Sequence, residues 1–236
     1  MTNDVLSFIE KNIAEIRKRI EHAAGESGRE PADIEIVAVT KTVEPPLINK
    51  AIKCGIYELG ENRVQELLLK HGNTDEGSAV NWHMIGHLQT NKVRQIMGRV
   101  SLIHSVDSAK LADEINRRAI ERGIVQDVLV EVNMSGELSK FGLSGEKTLE
   151  LIRLLWEMRA IRVKGLMTVA PYVEEGEKNR DLFKKMRNLF VDINDKRDDN
   201  EPMTLLSMGM TGDFEAAVLE GANLIRIGTG IFGRRD

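Results

Sequence analysis

Two hydrophobic patterns alternate along the chain. Near its start, apolar residues recur at helical spacing from Val5 to Ile20, and Gly25 ends this pattern. We therefore expect an amphipathic helix that packs against a core. Short apolar runs follow, each separated from the next by a segment with helical spacing. The runs are Ile34–Thr40, Ile56–Leu59, Trp82–Ile85, Leu102–Val106, Val128–Val132, Val163–Met167, Leu205–Met208 and Leu224–Ile227.

The alternation of short strands and helices predicts a parallel sheet with helical crossovers. Eight such units most simply close into a barrel, so we expect the α/β class: a single (β/α)₈ TIM-type barrel with an extra N-terminal helix. An open doubly wound sheet is the alternative. No G-x-G-x-x-G sequence follows the first strand, which disfavours that alternative.

Composition narrows the function classes. The 236 residues carry a formal net charge of -4, so we expect no nucleic-acid partner. Cys54 is the single cysteine, which excludes a disulfide within the chain. No apolar stretch approaches the roughly 20 residues of a membrane span. The first residues lack a basic region followed by an apolar run. We therefore expect no secretory signal and a cytoplasmic location without membrane association.

Candidate chemistry lies at the strand exits, because barrels of this class place their sites at the carboxyl ends of the strands. The loops after the seventh and eighth strands are rich in glycine and threonine. Such loops commonly hold a phosphate, although glycines also serve simple tight turns. These residues are Gly209, Thr211, Gly212, Gly228, Thr229 and Gly230. We expect Asp213 to belong to the following helix N-terminus, since a carboxylate would repel a phosphate.

Lys41 ends the first apolar strand. A lysine condenses with an aldehyde only when it is neutral, and its ordinary pKa is about 10.4. Burial at a barrel mouth would lower the pKa, so we expect a buried, reactive amine there. The alternative is a lysine that extends from the strand end into solvent.

Arg226 interrupts the eighth apolar strand. An arginine inside a strand has to be paired with acceptors. It either faces inward near a ligand or pairs with a core carboxylate such as Glu58 or Glu131. The histidines have no recognisable metal-binding spacing, and we expect His83 to be a packed residue and not a metal ligand.

Several segments together resemble one known family. They are residues 37–42 (VAVTKT), 60–66 (GENRVQE), 82–92 (WHMIGHLQTNK), 207–211 (SMGMT) and 226–233 (RIGTGIFG). In this order they are similar to the pyridoxal phosphate homeostasis proteins, which are related in fold to the N-terminal barrel of alanine racemase. The resemblance spans nearly the whole chain, so we expect residues 1–236 to form one cofactor-binding domain.

The resemblance implies a pyridoxal 5'-phosphate (PLP) site. Lys41 would carry the cofactor as a Schiff base, and Arg226 would approach the pyridine nitrogen. Asn62 would lie near the ring, and Lys140 would be a second, transient aldehyde acceptor. The residues implied around the phosphate are Ser207, Gly209, Gly228 and Thr229.

The family's function implies a cofactor carrier without established turnover. We expect a monomer whose partners are PLP itself and PLP-dependent enzymes as recipients. Racemisation needs an acid or base on each face of the substrate, and Lys41 supplies one. The given sequence ends at Asp236, so we expect no β-domain that would add a catalytic tyrosine; Tyr57 and Tyr172 are the only tyrosines.

Two other functions remain open at this point. The first is a PLP-dependent amino-acid racemase or lyase with a minimal site. The second is a phosphosugar isomerase or aldolase barrel, in which Lys41 would attack a sugar carbonyl.

Overall fold

The secondary structure repeats a strand and a helix along the chain. The computed structural model describes residues 3–74, 80–137, 141–197 and 201–234, with residues 3–6 described by their backbone alone. Strands β1 to β8 are Glu35–Val39, Glu58–Glu61, Asn81–Met84, Leu102–Val106, Gln126–Glu131, Ile161–Met167, Leu205–Met210 and Leu224–Ile227. Helices α1 to α9 are Asn3–Glu26, Pro45–Lys53, Val64–Lys70, Val93–Ile96, Ala109–Arg122, Gly145–Trp156, Arg180–Asn194, Phe214–Leu219 and Thr229–Phe232.

The strands form a closed parallel barrel in chain order. β1 pairs with β2 on one side and with β8 on the other, where Glu35 lies opposite Leu224 and Ala38 lies opposite Ile227. This pairing closes the ring and excludes an open doubly wound sheet. The prediction of a (β/α)₈ barrel with an added N-terminal helix is confirmed.

Two apolar clusters lie on either side of the barrel wall. The outer cluster fills the space between the strands and the helices. The inner cluster consists of Val37, Ile85, Leu102, Leu129, Met167 and Leu224, with Val39 and Leu205 packed against it. Side chains alternate between the two faces of a strand. Residues two positions beyond an inner-cluster residue therefore also face the barrel interior, and these include Glu131, Ser207 and Arg226.

The observed elements differ from the predicted ones mainly at their ends. β2 begins at Glu58 and includes Gly60 and Glu61, which we had placed beyond the strand. Glycine and glutamate disfavour strands, but pairing with β1 and β3 outweighs that preference. The segment between β3 and β4, where the alternation predicts a helix, is a 3₁₀ turn over Thr90–Lys92 followed by the short helix α4. A single turn such as α9 is too short to show a helical period.

Helix α1 fastens the start of the chain to its end. Asn12 Nδ2 donates to the Ile231 carbonyl at 2.9 Å, and Arg19 pairs with Glu215 at 2.6 Å. The predicted apolar stripe is buried from Ile9 to Ile20, whereas Phe8 is 46% exposed. None of the helices in the described ranges combines the length and apolar character required to cross a membrane.

Gly165 in β6 tests the packing between β6 and β7. A Cβ at this position would lie 1.7 Å from the Leu205 carbonyl oxygen, so the backbone itself would have to move. We expect Gly165→Ala to lower the free energy of unfolding by about 3 kcal/mol, measured by urea denaturation. Gly145→Ala is the control, because its nearest neighbour would be 3.8 Å away. Equal stabilities of the two variants would contradict this account.

Candidate functional site

Lys41 lies in a turn at the barrel mouth. The inward row of β1 contains Val37 and Val39, and Lys41 lies two residues beyond the end of that strand. Its side chain is exposed. The expected burial of Lys41 is therefore wrong, because β1 ends at Val39 and Lys41 belongs to the exposed turn beyond it.

A buried ion pair holds the backbone before Lys41. Lys70 Nζ donates to the Thr40 carbonyl at 2.7 Å and to Glu61 Oε1 at 2.7 Å. Thr40 Oγ1 donates to the same Glu61 oxygen at 2.6 Å. Burial raises the pKa of Glu61, and the bonds from Lys70 and Thr40 oppose that rise. The end of β1 is thus fastened to α3 and to the end of β2.

A second carboxylate holds the backbone after Lys41. Thr42 N donates to Glu66 Oε2 at 2.6 Å, and Lys70 also contacts Glu66 at 3.2 Å. Thr42 has φ of 58°, a left-handed conformation that is rare for a β-branched residue and has to be held by its surroundings. No role for Lys70 or Glu66 was predicted from the sequence. The burial of Lys70 could have been inferred from its position, because it continues the row of apolar positions on α3.

Arg226 lies inside the barrel and is only 4% exposed. Its Nη1 donates to Ser207 Oγ at 2.5 Å, and its Nη2 donates to the Thr168 carbonyl at 2.8 Å. Burial lowers the pKa of Arg226 to about 10, so the guanidinium stays charged at neutral pH. Of the two arrangements that we considered, the inward one is found. No direct ion pair with Glu58 or Glu131 is present among the described residues.

Ser207 in β7 is fully buried. Its hydroxyl oxygen accepts from Arg226 and also lies 3.2 Å from Nδ1 of His104. The side chain is therefore engaged inside the barrel, before the loop that follows β7. Its implied place near a phosphate stays a prediction, while its contact with Arg226 is a feature that the sequence did not reveal.

The loops after β7 and β8 meet at the mouth. Gly230 N donates to Thr211 Oγ1 at 3.1 Å, which ties one loop to the other. Gly228 immediately precedes α9, and Thr229, the first residue of that helix, is exposed. Both residues are thus available at the surface of the joined loops, as a phosphate site in this fold would require.

Gly209 has a packing role in this region. Its φ is 91°, and a Cβ there would lie 2.6 Å from the Cβ of Ala217 in α8. A side chain is thus excluded by the helix itself, independently of any anion. Asp213 precedes α8 without capping it through its side chain. Its two oxygens accept from Met210 N at 2.6 Å and from Asn179 Nδ2 at 2.8 Å, so both are occupied by the protein.

Asn62 follows β2 and has a buried Oδ1 atom for which the described residues provide no hydrogen-bond partner. Its backbone packs against Gly86, where a Cβ would lie 2.4 Å from the Asn62 carbonyl oxygen. A primary amide presents either its oxygen or its nitrogen after a half-turn. This unsatisfied group therefore suits a polar atom of a ligand.

Glu131 ends β5 on the inward row and is 7% exposed. Burial raises the pKa of its carboxyl to about 7, the charge of Asp107 acts in the same direction, and the charge of Arg226 opposes both. The sequence analysis considered Glu131 only as a partner of Arg226. The structure instead makes it a group that titrates near neutral pH beside the barrel mouth.

The structure thus brings Lys41, Asn62, Arg226 and the joined β7 and β8 loops to one end of the barrel. Lys140 lies outside the described residues. Tyr57 precedes β2 at the opposite end, and Tyr172, in the loop after β6, is 93% exposed. Within the described ranges, no group of histidine, cysteine or acidic residues could hold a metal ion.

The fold, a closed parallel barrel with a lysine just beyond β1, has counterparts among known proteins. A sequence profile of the alanine racemase N-terminal domain matches residues 6–236. An alanine racemase from Clostridium difficile has the same fold, with a TM-score of 0.72 at 17% identity; the match covers 97% of this chain and 57% of that one. The chain is therefore of the alanine racemase N-terminal domain type.

Relatives over the full length narrow this class. A pyridoxal phosphate homeostasis protein from Aquifex aeolicus is 44% identical, with 95% of this chain and 97% of the relative covered. One from Pseudomonas aeruginosa is 36% identical, with 98% and 97% covered. The structure of PipY from Synechococcus elongatus with PLP bound is similar, with a TM-score of 0.83, 30% identity and coverage of 95% and 100%. The chain belongs to the pyridoxal phosphate homeostasis protein family.

The raised pKa of Glu131 predicts a pH-dependent loss of stability. The ordinary value is 4.5 and the folded value about 7, so the folded protein binds this proton more tightly than the unfolded chain does. The corresponding stability is complete below about pH 4.5 and is lost as the pH rises through about 7. We expect Glu131→Gln to be more stable than the unmodified protein at pH 8, by up to about 3 kcal/mol, and similar at pH 4.5.

The measurement is urea denaturation at both pH values. The control is Glu157→Gln, which changes an exposed carboxyl after α6. Its difference in stability from the unmodified protein should be the same at both pH values. If the difference in free energy of unfolding between Glu131→Gln and the unmodified protein stays constant from pH 4.5 to 8, Glu131 does not titrate as described.

Proposed function

We propose that this chain binds pyridoxal 5'-phosphate through a Schiff base to Lys41 and takes part in the intracellular homeostasis of that cofactor. The observation that carries the proposal is the placement of Lys41 at the same barrel end as Arg226 and the joined β7 and β8 loops. The names of the relatives and the PLP-bound PipY structure support it.

The residues present fit such a cofactor. Arg226 uses two N–H groups in its two hydrogen bonds. A guanidinium has five N–H donors, so donors remain for the pyridine nitrogen. The buried, unsatisfied amide atom of Asn62 suits a polar ring substituent. The exposed amine of Lys41 can reach an aldehyde without displacing core residues.

The phosphate would be held by the joined loops. We propose that Gly228 and Thr229 contribute backbone N–H groups and a hydroxyl at the mouth. Gly209 would keep β7 close to α8, and Ser207 would act in the same region through its bond to Arg226. Asp213 would serve the loop and not the anion, because its two oxygens accept from Met210 N and Asn179 Nδ2.

The bound cofactor supplies an aldehyde that amines can add to and a ring that can accept electrons. Arg226 determines how strongly that ring withdraws them. An arginine keeps its proton even at a pKa of about 10, so Arg226 would donate a hydrogen bond to the ring nitrogen of a bound cofactor and would leave that nitrogen unprotonated. This weakens electron withdrawal and supports a carrier over a catalyst of carbanion chemistry.

A racemase or lyase remains the second candidate, because Glu131 provides an acid or base with a pKa near neutral. A proton donor on the face opposite Lys41 is what that chemistry would need. We favour the carrier function over the racemase or lyase. With it we propose a single domain over residues 1–236, a monomer in the cytoplasm, PLP-dependent enzymes as recipients and Lys140 as a second acceptor.

Attachment at Lys41 is the direct test. We expect the purified protein loaded with PLP to show visible absorbance and, after borohydride reduction, a labelled peptide that contains Lys41. Lys41→Ala should lose the visible band and at least about 90% of this label, because the linkage needs that amine. Lys110→Ala, which removes an exposed lysine of α5, should keep both.

Either of two results would contradict the proposal. A full visible band in Lys41→Ala with the label on a lysine other than Lys140 would refute the attachment site. A protein that takes up no PLP but binds a phosphorylated sugar would favour the isomerase or aldolase alternative.

Turnover distinguishes carrier from enzyme. We expect the loaded protein to change its spectrum when amino acids are added, because amine exchange requires no carbanion. Racemisation and elimination over a panel of common amino acids should be negligible beside dedicated enzymes, measured by chiral chromatography. Robust turnover that Glu131→Gln abolishes would instead establish the racemase or lyase and identify its second acid or base.

A further inference from the structure

A continuous line of polar side chains crosses the barrel interior beneath the proposed site. Glu58 Oε2 lies 2.7 Å from His83 Nε2, and His83 Nδ1 lies 3.0 Å from His104 Nε2. His104 Nδ1 lies 3.2 Å from Ser207 Oγ, which accepts from Arg226 Nη1 at 2.5 Å. The line joins a carboxylate at the start of β2 to the guanidinium of β8.

The chemistry of the groups gives this line a direction. Arg226 can only donate, so Ser207 Oγ is an acceptor toward it and can pass its own proton to His104 Nδ1. A neutral His104 then carries its proton on Nε2 and donates to His83 Nδ1. A neutral His83 in turn carries its proton on Nε2 and donates to Glu58, a carboxylate that accepts. Every donor and acceptor in the line is satisfied.

The reverse direction is not satisfied by these partners. If His104 donated from Nδ1 to Ser207, His83 would have to donate from Nδ1 to His104 Nε2. A neutral His83 would then face the Glu58 carboxylate with an unprotonated Nε2, and two acceptors would meet at 2.7 Å. The Ser207 hydroxyl proton would also lose its acceptor. With both rings neutral, an acceptor at position 58 therefore sets the direction of the whole line.

Burial strengthens this constraint. His83 and His104 are 3% and 0% exposed, so an unsatisfied ring nitrogen would have no access to bulk water. Burial lowers the pKa of His104 well below its ordinary value, and the charge of Arg226 acts in the same direction. His104 is therefore neutral at physiological pH.

Other charged groups face the two ends of the line. Glu35 of β1 lies near Glu58, and the charges of Glu131 and Asp213 act on Arg226. Glu58 is also bound by Asn81 Nδ2 at 2.7 Å. Burial raises the pKa of the Glu58 carboxyl, but the bonds from His83 and Asn81 outweigh burial and lower this pKa below its ordinary value. Position 58 is thus ionised and an acceptor at neutral pH.

The geometry points to Glu58, His83 and His104 as positioning residues for Arg226. Their hydrogen-bond line accepts the Ser207 hydroxyl proton and so fixes the orientation of the hydroxyl whose oxygen accepts from Arg226, which aims the guanidinium at the cofactor's ring nitrogen. This role rests on the proposed PLP site. It connects Glu58, at the opposite end of the barrel, to the residue that controls how strongly the cofactor ring withdraws electrons. The connection runs through hydrogen bonds, without a direct ion pair between Glu58 and Arg226.

The direction can be read in the protein without cofactor. ¹⁵N spectra of the histidine rings at pH 7.5 should show both His83 and His104 protonated on Nε2. Glu58→Gln should keep this pattern, because the amide oxygen can still accept from His83 while Asn81 turns its own amide. Glu58→Lys offers only a donor and should move the proton of both rings to Nδ1. Glu35→Lys makes the same charge change beside the line and should leave both rings unchanged.

Cofactor affinity tests the consequence for Arg226. Glu58→Lys should weaken PLP binding about tenfold, the scale of one weakened hydrogen bond to a charged group. It should change by less than about twofold the affinity for an analogue with carbon in place of the ring nitrogen. Glu58→Gln and Glu35→Lys should bind both ligands as the unmodified protein does.

Each contrary result has a distinct meaning. His104 protonated on Nδ1 in the unmodified protein, or unchanged rings in Glu58→Lys, would overturn the inference. If Glu58→Lys weakened the binding of PLP and of its carbon analogue equally, the line would have only a structural role, and the inference would be overturned as well. An unmodified protein that binds no PLP would contradict the proposed function alone, since the ring spectra decide the direction of the line by themselves.

Discussion

A positive charge inside the barrel has to be stabilised by groups that are also inside it. Arg226 is almost fully buried, and its nearest acceptors are a neutral hydroxyl and a backbone carbonyl. Neutral acceptors alone stabilise a buried guanidinium poorly. The carboxylates whose charges compensate it, Asp213 and Glu131, lie farther away near the mouth. The barrel interior is therefore polar along the line from Glu58 to Arg226 and at Glu131, and apolar where the inner cluster packs.

Most of the fold follows from patterns that can be read along the chain. Each of the eight strands is predicted to within a few residues, because apolar runs of four to seven residues between helical segments are specific to parallel sheets. Leu102–Val106 and Leu224–Ile227 agree at both ends. The prediction is weakest where local preference and pairing disagree, as at Gly60 and Glu61 in β2, and where an element such as α9 is too short for its period to appear.

The candidate site is only partly readable in this way. Lys41, Arg226 and the glycine-containing loops stand out because each breaks the pattern of an apolar strand or follows its end. The clamp of Lys70, Glu61 and Glu66 does not stand out, since its members are charged residues of ordinary appearance that meet only after α3 packs on β1 and β2. The near-neutral Glu131 is likewise a consequence of burial and of neighbours from other strands.

The contacts of α1 have a consequence for how the protein is made. Asn12 bonds to a carbonyl 219 residues away, and Arg19 to a carboxylate 196 residues away. β1 likewise finds one of its two partner strands only in β8. During synthesis the first helix thus emerges long before α8 and α9, which provide part of its packing surface. That part of the native cover of its isoleucines is missing until α8 and α9 have been made, so closure of the ring is a late, non-local step.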